Sequence, residues 1–121
     1  MDYNGLTLAY IGDAVFEVIV RTFLLEKGIK KVDHLHKEAI KLTSAEGQEK
    51  LHLLIEPLLT EEELTIFKRG RNSKTDRKAK NASLSSYRRA TGFEALIGYL
   101  YLNKQRDRIH ALLDSVLEEV L

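Results

Sequence analysis

Cysteine is absent from the 121 residues, and disulfides and thiolate metal sites are excluded with it. A chain without cysteine suits a reducing compartment. There is a single proline, Pro57, so most of the sequence is free of the residue that breaks helices. Strict polar–apolar alternation is missing, and no strand is expected. No apolar run is long and clean enough to span a bilayer: the stretch from Leu6 to Val20 is too short and is interrupted by Asp13 and Glu17. The amino terminus, MDYNG, has no basic segment ahead of an apolar one, so no signal peptide is expected. A cytoplasmic protein with no membrane partner is the expectation.

What is present reads as one all-α domain over residues 1–121. A first helix should run from near Gly5 to near Gly28, a residue suited to a left-handed C-cap position. Asp33 is a plausible N-cap for a short helix, HLHKEAIKL. Thr43 and Glu46 read as a capping box for a helix reaching toward Pro57, and Thr60 with Glu63 as a second box. The helix behind Thr60 has acids first and bases last, which matches the macrodipole. A fifth helix should cover Leu84 to Asn103, and an amphipathic segment, RIHALLDSVLEEVL, should close the fold as one helix.

The net charge of +1 conceals an uneven distribution: nine of the nineteen lysines and arginines fall between Lys68 and Arg89, against one acid, Asp76. Asn72 to Ser83 has almost no apolar residue and reads as a solvated loop. A charge run is usually no more than a solvated face; the other reading is a polyanion-binding segment.

Two acids stand out because of where they are. Leu6 to Arg21 is apolar on almost every side, which predicts a buried central helix, yet Asp13 lies in its middle, with Glu17 and Arg21 following at four-residue spacing. Glu94 repeats the pattern inside FEALIGYLY. A carboxylate in such a helix is costly unless something compensates it. Gly12 and Gly98 flank the two acids and would let two helices cross closely. If the acids meet, hard oxygen donors of this kind suit a divalent cation such as Mg²⁺. The bland alternative, buried acids satisfied by amides or a tyrosine hydroxyl, is about as good on composition alone. Glu17 is either an outer-shell acid or the intrahelical partner of Arg21, and Thr91 either orients a water near Glu94 or bonds back to its own helix. His34 and His36 lack a third ligand at metal spacing. Tyr10 and Tyr87 read as core residues.

The motifs IGDAVFE and FEALIGYLYL resemble the two signatures of the ribonuclease III catalytic domain. LAYIGDA (8–14), LHK (35–37), TSAEGQ (43–48), KRGRN (68–72) and the segment from Tyr87 to Leu100 together resemble the short bacterial Mini-ribonuclease III branch, which lacks the double-stranded-RNA-binding domain. The resemblance spans almost the whole chain. It implies an all-helical homodimer of about six or seven helices per subunit that cleaves double-stranded RNA with Mg²⁺ and leaves 5′-phosphate and 3′-hydroxyl ends. It implies precursor ribosomal RNA as substrate, with a ribosomal-protein accessory factor as a possible further partner. Asp13 and Glu94 carry over as the catalytic, metal-binding acids. KRGRN turns the basic segment toward RNA, with Lys37, Lys68, Arg69, Arg71, Asn72, Lys74, Arg77, Lys78, Lys80 and Arg88 as candidate contacts. Other acids of the larger enzymes fall on Leu6, Ala9 and Thr91 here and, less securely, on Gln48, which leaves the number of metals open. The alternative function is a non-catalytic RNA-binding subunit on the same scaffold; a protein-interaction module is a third.

Overall fold

The computed structural model describes residues 2–73 and 83–121, and among them every regular element is helical. The elements are α1 (Gly5–Glu26), α2 (Val32–Thr43), α3 (Ala45–Ile55), a 3-10 turn (Glu56–Leu58), α4 (Glu61–Arg71), α5 (Leu84–Leu102), α6 (Arg106–Leu113) and α7 (Leu117–Val120). No helix among the described residues is long and apolar enough to cross a membrane.

Local chemistry sets most of the helix ends. Asn4 starts α1 by accepting from the Thr7 amide at 2.8 Å, and the chain leaves α1 through Gly28 at φ +93°. The capping box ahead of α4 is complete: the Thr60 amide donates to Glu63 at 2.9 Å and the Glu63 amide to the Thr60 hydroxyl at 3.1 Å. Three expectations change. Asp33 does not cap α2, which begins one residue earlier, at Val32, with no side-chain cap. The cap of α3 is Ser44, not Thr43; its hydroxyl accepts from the Gly47 amide at 3.1 Å, and Thr43 ends α2 instead. The closing segment is two helices, interrupted over Asp114–Val116, because Val116 and Leu117 turn inward to join the core.

The packing is organised around α1 and α5, whose inner faces carry Phe16, Val20, Leu24, Phe93, Leu96, Ile97 and Leu100, all essentially sealed from solvent. Phe16 meets Phe93 edge to face with ring centroids 5.1 Å apart, a favoured aromatic geometry. The other helices close over this pair, contributing Leu42, Leu51, Ile55, Ile109, Leu112 and Leu113. Glu63, itself buried, holds α4 to α6 by accepting from Arg108 at 2.8 and 2.9 Å, while Arg108 also donates to the Leu58 carbonyl at 2.8 Å.

The two central helices touch through their backbones. A Cβ placed on Gly12 would lie 1.7 Å from the carbonyl oxygen of Glu94, and one on Gly98 would lie 2.0 Å from that of Leu8. No side chain fits at either point, so only glycine permits this approach. The crossing sets the turn that carries Asp13 against the turn that carries Glu94.

The expectation that α1 is buried all round is corrected. Leu6, Tyr10, Ala14 and Val18, spaced four apart, are exposed, Tyr10 to 82% and Val18 to 65%. The helix is apolar on all sides, and one side finds no partner within the chain.

Candidate active site

Asp13 and Glu94 converge on a cleft of about 430 Å³ lined also by Leu6, Ala9, Tyr10, Tyr87 and Thr91. Asp13 comes from the exposed side of α1, so the picture of an acid sealed inside a helix bundle does not hold for it. Glu94 lies half-buried on α5 beneath it. Burial pushes the Glu94 carboxyl up to about 8, and the Asp13 carboxyl, within hydrogen-bonding reach, pushes the same way. A more distant carboxylate, Glu17, adds to the effect, and a hydrogen bond from Gln48 opposes it. The ionised form of Glu94 is therefore disfavoured at neutral pH unless positive charge is brought to the cleft.

A hard divalent cation fits this donor set. Such ions take carboxylate oxygens and keep several waters, so they need few protein ligands. Among the described residues no group of three or more metal-ligating side chains comes together; the pair stands alone. Around the pair, Leu6, Ala9 and Thr91 line the cleft, and Gln48 donates to Glu94 at 3.3 Å. Hydrocarbon, a hydroxyl and a neutral amide surround the two carboxylates.

The remaining candidates sort by position. Glu17 pairs with Arg21 at 3.2 Å on the exposed side of α1 and lines a different groove, toward α2. Thr91 points into the cleft wall but donates its hydroxyl to the Tyr87 carbonyl at 3.0 Å, the back-bond to its own helix. Tyr10 is not a core residue; it stands at the mouth of the cleft. Gln48, 3% exposed, is the residue that sequence reasoning took only for a lost acid.

Lys68, Arg69 and Asn72 are exposed at the end of α4, where Arg71 donates to the Asn72 side chain at 3.1 Å. This end is held close to the cleft. A Cβ on Gly70 would meet Ala95 and Gly92 of α5 at 2.6 and 2.9 Å and the Thr91 carbonyl at 3.0 Å, so the basic turn packs against the helix turn that carries Glu94. Arg88, Thr91 and Glu94 follow one another at three-residue spacing on α5, and Arg88 is exposed. Lys37 is exposed on α2, grouped with Lys31, Val32, Asp33 and His34, and is not brought into the cleft. Lys74, Arg77, Lys78 and Lys80 lie outside the described residues.

The chain, an all-helical domain among the described residues, belongs to the ribonuclease III family: the model of the ribonuclease III domain matches residues 6–105. It is an enzyme, a ribonuclease. Within the family its relatives are proteins named Mini-ribonuclease 3. That of Clostridium tetani is 46% identical over 94% of this chain and 76% of its own length. That of Enterococcus faecalis is 44% identical over 97% and 90%, and that of Brevibacillus brevis 50% identical over 88% and 79%. A crystal structure of a protein from Fusobacterium nucleatum superposes with a TM-score of 0.88 at 32% identity, covering 97% of this chain and 95% of that one.

Proposed function

We propose that this chain is an endoribonuclease that cuts double-stranded RNA, with Asp13 and Glu94 as its catalytic acids and Mg²⁺ as its cofactor. The observation that carries the reading is the meeting of these two carboxylates in one cleft at a crossing only glycine permits. Asp13 and Glu94 would hold the cation through carboxylate oxygens. When bound, it supplies Lewis acidity at the phosphodiester and a water acidic enough to attack at neutral pH. In-line attack with the 3′-oxygen as leaving group gives 5′-phosphate and 3′-hydroxyl ends. A-form RNA hides its base edges in a deep, narrow groove, so contacts to phosphate and sugar carry the recognition. Lys68, Arg69, Arg71 and Asn72, at the end of α4 that packs on α5, and Arg88, one turn before Thr91, are assigned to that role. Lys74, Arg77, Lys78 and Lys80 belong to the same basic run, and Lys37 is a more distant contact. Of the two outer-shell candidates, Thr91 stands in the cleft wall, whereas Glu17 lines a different groove and reaches the site only through its charge.

The exposed stripe of α1 supports a homodimer. Beside it, Ile11, Val15, Ile19, Tyr101, Arg106, Ile109 and His110 help line an apolar cavity of about 400 Å³. A two-fold contact needs one self-complementary patch, and it would supply one cleft for each RNA strand. Residues 1–121 then act as one catalytic domain in the cytoplasm. Precursor ribosomal RNA is the proposed substrate class, and a ribosomal protein that shapes the duplex is a compatible accessory.

The test is cleavage of a long RNA duplex in Mg²⁺ by wild type and by Glu94→Gln, which keeps shape and removes charge. Wild type should cut; the variant should bind the duplex with similar affinity and lose at least about 10²-fold in rate, the scale of removing one essential electrostatic group. Binding without cutting by both proteins would favour the non-catalytic RNA-binding subunit instead.

A further inference from the structure

Gln48 is the fourth residue of α3 and lies between three helices. Its amide nitrogen donates to the carbonyl of Thr43, the last residue of α2, at 3.1 Å and to Glu94 Oε2 on α5 at 3.3 Å. The Thr43 carbonyl can only accept, which fixes which end of the amide is nitrogen. The other end, Oε1, is sealed from solvent and has no hydrogen-bond partner among the described residues. A buried carbonyl left unpaired costs free energy, and a methionine would fill similar volume without that cost. What the amide does that a hydrocarbon would not is donate two bonds, and one of them goes to a carboxylate of the cleft.

We infer that Gln48 is a positioning residue for Glu94: it holds Oε2 by a neutral donor anchored on the α2–α3 corner, so that Oε1 is presented to a divalent cation shared with Asp13. This rests on the reading that Glu94 binds the cation. A neutral donor suits the task where an acid would not. A third carboxylate at this position would add to the repulsion between Asp13 and Glu94, whereas the amide orients one of them and adds no charge. Partners that orient a metal-binding carboxylate typically change affinity or activity by about 10–100-fold when removed.

The experiment measures Mn²⁺ affinity by electron paramagnetic resonance for wild type, Gln48→Met, Glu94→Gln and the double variant, with circular dichroism and urea unfolding of each. Gln48→Met should keep its helix content and its KM for duplex RNA, bind Mn²⁺ about tenfold more weakly, and lose kcat. In the Glu94→Gln background the same change should do nothing further to Mn²⁺ binding, because its only route to the metal has gone. A folded Gln48→Met protein with wild-type Mn²⁺ affinity, or an equal loss in both backgrounds, overturns the assignment. If Gln48→Met does not fold, Gln48→Asn, which keeps the amide but withdraws it by one methylene, is put through the same comparison with the same criteria. If Glu94→Gln binds Mn²⁺ as tightly as wild type, the metal reading of Glu94 fails first and the role of Gln48 falls with it. A clear wild-type to Glu94→Gln difference with none at Gln48 overturns the Gln48 role alone.

Discussion

Glu94 titrates far above an ordinary carboxylate because burial and Asp13 both disfavour its charge. A raised pKa means that the folded protein holds this proton over a range in which the unfolded chain has released it. The resulting stability is complete below the unfolded value of 4.5 and is lost as pH rises through about 8. In metal-free buffer, urea unfolding of wild type and Glu94→Gln should therefore agree best near pH 5. They should diverge toward pH 8.5, with the variant the more stable by at least about 1.4 kcal/mol, the worth of one pKa unit. Glu63 and His52 titrate in both proteins and cancel from the comparison. Saturating Mg²⁺ should shrink the gap, since a cation favours the ionised form. At this scale the acids themselves are readable from the sequence, as charges inside apolar helices. Gln48 is not: its partner is 46 residues away, and no spacing rule links a glutamine on one helix to a glutamate on another.

At the scale of the helix, the decisive contact is between backbones. Gly12→Ala would place a methyl group 1.7 Å from the Glu94 carbonyl oxygen, which no rotamer relieves. The helices must part, and the cost should exceed the 1–3 kcal/mol usual for overpacking, read as a lower urea midpoint. Helix propensity alone predicts the opposite, a gain of about 1 kcal/mol for alanine over glycine, so the sign of the change separates the two effects. Helix types and approximate extents follow from caps and periodicity, as the Thr60–Glu63 box illustrates. Boundaries that depend on competition between adjacent candidates do not. Thr43 and Ser44 can both cap, and the choice falls to Ser44 because α2 continues through Thr43. Likewise the break at Asp114–Val116 follows from where Val116 and Leu117 find the core, which is a tertiary fact.

For the whole molecule, the stripe of Leu6, Tyr10, Ala14 and Val18 marks the limit of hydropathy reading. The pattern reports that α1 is apolar on every side, but not whether the partner belongs to the same chain or to another copy. Val18→Asp, at a 65%-exposed position outside the lining of the acidic cleft, should leave the helix content intact. It should convert a dimer into a monomer by light scattering, and reduce duplex cleavage by at least tenfold. A variant that remains dimeric would place the subunit contact elsewhere.

The glycines of the central crossing bear on how the molecule comes into being. Each weakens its own helix by about 1 kcal/mol relative to alanine, and neither helix can recover that loss until the other lies against it. Asp13 precedes Glu94 by 81 residues (94 − 13). A nascent polypeptide emerging from the ribosome thus exposes the first acid long before the second is made. If the two acids form the cutting centre proposed above, it has none until α5 has been synthesised and has docked. On that assignment the order of translation itself would withhold cutting until both helices are in place.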